Sequence, residues 1–244
     1  LDEVCELLDA ELGFDRPLRE VLFADDAGLL YSTGYAQPAL FAVQVALVAL
    51  LRSWGMAPET VLGHSVGEFA AAHTAGVIEL PDAVRLVAAR ARLMQALPEG
   101  GAMAAVEIAE ADVVGRLPEG AVLAAVNGPT SVVVSGTEAA VDAVVEQARE
   151  EGRRATRLRV SHAFHSPLMQ PVLAEFTQVA VEITYRTPKV AAVSSVTGAP
   201  LGEDDWTTPA YWADQIVSPV RFQEAFTAAR TQGATRFLEI GPDP

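Results

Sequence analysis

Apolar residues recur at helical spacing from the start of the chain, where Leu1, Val4, Leu7 and Leu8 mark one face of an opening helix. Residues 23–37 are rich in Asp, Gly, Ser and Thr and read as a loop. Pro38 then opens a helix to Leu51 that is apolar on most faces and is expected to be buried. After a break at 54–58, Val61-Leu62-Gly63 forms a short apolar strand that runs directly into Gly63-His64-Ser65-Val66-Gly67-Glu68. A helix is expected over 69–75, and Pro81 begins another that reaches about Leu97.

The pattern changes between 101 and 160. Residues 102–108 alternate as a strand and 110–117 read as a helix. Strands at 121–126 and 131–135 flank the turn Asn127-Gly128-Pro129, followed by a long helix over 138–151 and an alternating strand over 153–160. The order β-α-β-β-α-β is ferredoxin-like. Beyond it, Ser166 is placed to cap a helix running from Pro167 toward Val179. Residues 190–196 read as a strand, 218–232 as a helix ending near Gly233, and 235–240 as a buried strand. The expected fold is therefore α/β. A large lobe (1–100 and 161–244), α/β-hydrolase-like with a parallel sheet, carries an inserted ferredoxin-like small lobe (101–160).

Composition narrows the function. Seventeen basic against 32 acidic residues leave a net charge of −15, which argues against nucleic acid, whose binding rests on Lys and Arg neutralising phosphates. A single cysteine, Cys5, excludes an internal disulfide framework and a cysteine-based zinc site, and no metal is expected. The acidic opening segment is unlike a secretory signal, and the longest apolar stretch, 38–51, falls short of the roughly 20 residues that span a bilayer. A soluble cytoplasmic protein without membrane partners is the expectation.

Candidate chemistry centres on Ser65. The pattern G-x-S-x-G between a strand and a helix can lift a serine hydroxyl clear of a sharp turn, with the helix N-terminus and the Val66 N–H stabilising an oxyanion. The same five residues also suit a plain tight turn, or one that binds an anion. A serine nucleophile needs a base. His64 adjoins it but should point away, and His73, two helical turns on, suits a structural role. His162 and His165, in Ser161-His162-Ala163-Phe164-His165-Ser166-Pro167, lie where the small lobe returns to the large one, at a junction that can face Ser65. Arg90 falls in the apolar stripe of Leu86, Leu93 and Leu97, while Arg85 and Arg92 lie on the opposite face. A guanidinium turned toward a core serves either an internal ion pair or a fork gripping a substrate carboxylate. Five arginines between 149 and 159 could steer phosphate groups or an acidic partner, or simply be a solvated face.

Gly63-His64-Ser65-Val66-Gly67-Glu68, Ala75-Gly76-Val77-Ile78, Arg90 with Met94-Gln95, His165-Ser166-Pro167-Leu168-Met169 and Glu239-Ile240-Gly241-Pro242 together resemble the acyltransferase domains of polyketide synthases. Those domains are similar to the malonyl-CoA:acyl-carrier-protein transacylases of fatty acid synthesis. The resemblance covers essentially the whole chain, and Arg16-Pro17-Leu18 with Tyr35-Ala36-Gln37-Pro38-Ala39-Leu40-Phe41 is in the style of modular type I synthases.

The resemblance implies roles. Ser65 takes the acyl group, His165 activates it, Val66 supplies an oxyanion donor and Arg90 holds the free carboxylate of the extender unit. Gln37 and His64 lie beside the substrate, and the Gln215 backbone carbonyl orients His165, giving a dyad without a carboxylate. His162 and Phe164 belong to the signature His-Ala-Phe-His, found in malonyl-selecting members where methylmalonyl-selecting ones usually carry Tyr-Ala-Ser-His. Phe164 would crowd an α-methyl, and Val66, rather than glutamine, points the same way. The implied partners are malonyl-CoA, an acyl carrier protein supplying a phosphopantetheine thiol, and a neighbouring ketosynthase with its linker. The domain itself would bind no cofactor. Members also begin with a strand and a Gly-Gln-Gly-x-Gln motif and continue past the terminal Gly-Pro, so the expectation is an excerpt truncated at both ends. Two rival readings stand beside this one: a serine hydrolase or thioesterase, which adds an acid to Ser and His, and an inactive truncated docking domain.

Overall fold

The computed structural model describes residues 1–24 and 27–242. Helix α1 (Asp2–Leu12) buries Val4, Cys5, Leu8 and Leu12 and ends at Gly13, whose φ of 63° is the left-handed conformation that glycine adopts without steric cost. The short α2 (Leu18–Leu22) and a 3-10 turn (Ala27–Tyr31) lead into α3 (Thr33–Ser53). Part of the expected loop at 23–37 is thus helical, while residues 25 and 26 lie outside the described residues.

Pro38 does not start α3 but sits inside it. The first turn is held from outside: Gln95 Oε1 accepts the Gly34 N–H at 2.9 Å, and the Tyr35 hydroxyl donates to the Arg16 carbonyl at 2.9 Å. A helix leaves its first N–H groups without internal partners, and such long-range partners are invisible to local pattern. The longer helix also corrects the bilayer estimate. By length and composition its 21 residues suffice to cross a membrane, yet 44% of its most apolar window is buried in the fold, where it packs against α1 and the helices described next.

Strand β1 (Thr60–Leu62) feeds helix α4 (Gly67–Thr74), and α5 (Leu80–Gln95) follows with Pro81 in its first turn. Helix α5 crosses α1 and α3 and buries Leu86, Arg90 and Met94 on its inner face. Arg92 is exposed, and Arg85 pairs with Asp82 and Glu182 at the surface.

The small sheet follows. It comprises β2 (Gly101–Val106), β3 (Ala121–Gly128), β4 (Ser131–Thr137) and β5 (Ala155–Arg157), with helices α6 (Glu110–Val113) and α7 (Glu138–Glu150) between strands. The spatial order is β3-β4-β2-β5 and every neighbouring pair is antiparallel. This is the ferredoxin-like arrangement. Ala104, Val106, Val132, Val134, Val141 and Val145 form their own apolar cluster between sheet and helices. Helix α6 is shorter than the expected 110–117: the chain leaves helical conformation at Val114, ψ 128°, and turns on through Gly115 at φ 83°.

The return segment forms a 3-10 turn (Pro167–Val172) capped by the Ser166 hydroxyl, then α8 (Leu173–Val181), β6 (Ala191–Val193), α9 (Pro209–Val217) and α10 (Phe222–Thr231). Strand β6 runs parallel to β1 with Val61 opposite Ala192, so the molecule is mixed α/β with a parallel sheet and a separate antiparallel one. Helix α9 escaped the sequence pattern although Thr208 caps it and Pro209 opens it. The expected strand at 235–240 is not formed. No ladder joins it among the described residues, Phe237 and Leu238 are 44% and 60% exposed, and Phe237 packs instead on Phe226 of α10. An extended segment without a ladder partner keeps its backbone polar groups at the surface.

Candidate active site

Ser65 sits on the turn between β1 and α4 with φ 52°, a left-handed conformation that costs a non-glycine residue about 1–3 kcal/mol and persists only where its surroundings enforce it. The enforcement is visible. The Gly67, Glu68 and Phe69 amides donate to the carbonyls of His64, Ser65 and Val66 at 2.9, 3.0 and 3.2 Å, and Gln215 Nε2 donates to the Ser65 carbonyl at 2.8 Å. Gly63 makes the turn sterically passable: a Cβ there would lie 2.4 Å from the Glu68 nitrogen and the Gly67 carbonyl. The Val66 amide precedes the three spent on the turn.

His165 also has a left-handed backbone, φ 54°, and is buried. Its Nδ1 lies 2.9 Å from the Ser218 carbonyl and its Nε2 lies 2.7 Å from Ser65 Oγ. A carbonyl only accepts, so Nδ1 carries the proton and Nε2 is left bare to accept the serine O–H. Burial, and then the nearby charges of Arg90 and His64, push the His165 pKa down to about 3, against smaller opposing contributions from the Ser218 and Gln215 backbones. The ring is neutral at physiological pH. The Nδ1 hydrogen bond goes to the Ser218 carbonyl, the Gln215 backbone also acts on the ring, and the Gln215 side chain anchors the serine turn.

Arg90 is 2% exposed. Its Nη1 donates to Gln37 Oε1, and its Nη2 reaches Ser65 Oγ at 3.3 Å, while Nε is buried without a partner. Burial lowers its pKa to about 10, opposed by the charge of Glu68, so the guanidinium remains cationic. Gln37 is held by Thr33 Oγ1 at 2.6 Å and so fixes the Arg90 head.

The remaining candidates divide. His64 faces away from the Ser65 hydroxyl, and its Nε2 lies 2.9 Å from Asn127 Oδ1 at the end of β3. His162 spends both ring nitrogens on the protein, Nε2 on the Leu97 carbonyl at 3.0 Å and Nδ1 on Ser161 Oγ at 2.8 Å, so no ring nitrogen is left for a ligand. Phe164 is half-buried beside it, with ring centroids 6.2 Å apart. His73 Nδ1 meets the Ile78 carbonyl at 3.1 Å, away from the serine. Of the five clustered arginines, Arg153 and Arg157 pair with Glu151, Asp142 and Glu138, and Arg149 donates to the Ala155 carbonyl, which leaves less of a basic patch than the sequence suggested. Among the described residues no three His, Cys, Asp or Glu side chains come together as a metal cage requires.

Sequence reasoning missed Ser218, Asn127, Glu68 and Tyr211. Glu68 belongs to the serine motif and could have been questioned as a charge on a helix of small apolar residues. The others had no local signal.

The acyl transferase domain family matches residues 3–244. A phenolphthiocerol synthesis polyketide synthase type I, Pks15/1, from Mycobacterium marinum is 52% identical over 242 residues, 99% of this chain and 11% of that synthase, so the chain spans about a tenth of that relative's length. Among solved structures, the acyltransferase domain from the second module of the salinomycin polyketide synthase superposes with a TM-score of 0.91 at 50% identity, covering 99% of this chain and 56% of that one. A malonyl CoA-acyl carrier protein transacylase from Clostridium perfringens gives 0.88 at 30% identity, with 99% and 78% covered. With a family match over nearly its full length and homologues at half identity, this chain belongs to the acyl transferase domain family.

Proposed function

We propose that the chain transfers malonyl groups from malonyl-CoA to the phosphopantetheine thiol of an acyl carrier protein within a cytoplasmic polyketide synthase. The observation that carries this reading is Arg90, a buried cation whose Nε is unpartnered and whose Nη2 touches Ser65 Oγ. An unspent guanidinium edge beside a nucleophile suits a substrate that bears a carboxylate close to its reacting carbonyl.

In the first half-reaction His165 Nε2 takes the Ser65 proton as Oγ bonds to the thioester carbon. The Val66 N–H stabilises the oxyanion, and as the C–S bond breaks His165 returns the proton to the departing CoA sulfur. In the second half-reaction the carrier thiol gives its proton to His165 and attacks the malonyl-serine ester, and Ser65 Oγ leaves with that proton. The domain needs no cofactor of its own for these steps, and ping-pong kinetics follow from the shared acyl-serine. Because Arg90 is among the causes that depress His165, a bound carboxylate cancels part of that effect and makes the base stronger when the right substrate is present. Phe164 disfavours an α-methyl by about 1–3 kcal/mol, the usual worth of one methyl group, so discrimination against methylmalonyl is leaky. The Ser218 carbonyl behind His165, where a hydrolase triad places a carboxylate, speaks against the hydrolase alternative.

Arg90→Ala tests the reading. Removing one partner of a buried charged contact costs about 2–5 kcal/mol, or roughly 30- to 4,000-fold. Malonyl loading of Ser65, followed by mass spectrometry of its peptide, should fall within that range while acetyl loading survives or rises. Equal loss of both overturns the carboxylate clamp.

A further inference from the structure

Glu68 is wholly buried, and no step of the transfer uses it. Its Oε1 accepts three hydrogen bonds, from the Ser195 N–H at 2.8 Å, Trp206 Nε1 at 3.0 Å and the Tyr211 hydroxyl at 2.7 Å, while Oε2 has no partner. The cluster is closed by further bonds. Ser194 Oγ lies 2.7 Å from the Tyr211 hydroxyl, and Trp212 Nε1 donates to the Trp206 carbonyl at 3.1 Å. Trp206 is held at φ 60°, so the molecule's three left-handed non-glycine residues among those described are Ser65, His165 and this contact of Glu68. Strain gathers where position has been over-determined.

The placement of these groups explains what is being determined. Glu68 lies in the first turn of α4, and its own N–H donates to the Ser65 carbonyl. Tyr211 lies in α9, one turn before Gln215, whose amide donates to that same carbonyl at 2.8 Å. Helix α9 ends one residue before Ser218, whose carbonyl holds His165 Nδ1. Two linkages thus run between the serine turn and α9, one through Gln215 directly and one through the Glu68 carboxylate and Tyr211. Together they fix α4, whose N-terminal end joins the nucleophile's turn, against the element that aims the base.

We propose that Glu68, acting through Tyr211, is a positioning residue that sets the Ser65–His165 distance by locking α4 to α9. This rests on the reading of Ser65 and His165 as the reacting pair. A buried ionisable group is weak evidence for stability, since apolar side chains of similar size often serve as well, so its worth lies in what it holds in place. A displacement of about 1 Å in a reacting pair can cost about 100-fold.

The test is Glu68→Gln and Tyr211→Phe in the full-length protein, with and without His165→Ala. Two rates are read: labelling of the Ser65 peptide by a fluorophosphonate, and malonyl loading from malonyl-CoA. Each single variant should slow labelling and lower kcat for loading at least 10-fold while KM for malonyl-CoA stays within twofold, and the double variant should be no slower than the worse single one. In the His165→Ala background the same changes should alter labelling less than twofold, because there is no longer a base to misplace. Labelling of folded Glu68→Gln at the wild-type rate overturns the proposal, as does an equal slowing with His165 absent. Should Glu68→Gln not fold, Tyr211→Phe, which removes one donor and leaves the carboxylate buried, carries the same comparison. If His165→Ala labels as fast as wild type, the reacting pair itself is overturned, and with it the role of Glu68.

Discussion

At the scale of single residues, His165 ties chemistry to stability. Its folded pKa, about 3, lies below the usual histidine value of 6.5, so as pH falls the unfolded chain binds that proton first. The contribution is therefore complete above pH 6.5 and is lost as pH drops toward 3, at up to about 1.4 kcal/mol per pH unit. Denaturant unfolding of wild type and His165→Asn between pH 7 and 5 should show a steeper loss in the wild type by close to one proton. Parallel slopes would mean that the ring is not held neutral in the folded state. Burial also lowers the pKa of His73, and the paired comparison removes that background. Legibility at this scale followed sequence distance. Ser65 was readable because its turn is local, and His165 because two histidines stood at a junction. Glu68 was on view, but its partners Ser195, Trp206 and Tyr211 are 127 to 143 residues away, and its role is made by them.

At the scale of elements, the strand-turn-helix from β1 to α4 is the most constrained piece of backbone. Gly63→Ala would drive a Cβ into the main chain of Gly67 and Glu68 at 2.4 Å, where no flexible side chain can yield. The expected destabilisation is at least the 1–3 kcal/mol or so of ordinary overpacking, accompanied by loss of Ser65 acylation. Unfolding midpoints and the mass of the Ser65 peptide read the two effects. The strongly periodic elements α1, α5 and α7 were legible within a few residues. Helix α3 began earlier than its proline suggested because Gln95 and Arg16 hold its first turn from other elements. The 235–240 segment has a strand's composition but pairs with no strand among the described residues, and composition alone does not make a ladder.

At the scale of the molecule, the ferredoxin-like arrangement was readable because its six elements succeed one another along a single short, uninterrupted stretch of chain. The seam between that sheet and the rest was not. It is made by residues 218–221: Val126 donates to the Val220 carbonyl and Val220 to the Ala124 carbonyl, both at 2.8 Å, and Arg221 pairs with Glu110. The carbonyl that aims His165 lies two residues from this stitch. The Val126 and Val220 amides should accordingly be protected from hydrogen exchange to the same degree as the β3–β4 ladder. Rapid exchange at both, with the ladder intact, would show that the two sheets part while each stays folded.

Phe164 occupies the same seam, packing against the large core on one side and against Met103, Ala124 and Val220 on the other. The side chain proposed to sort acyl groups is also a filler between two bodies. If the proposed role holds, trimming it to admit a bulkier acyl group removes mortar as well as a gatepost, so any new selectivity there comes with a looser joint and calls for a compensating graft on the β3 side.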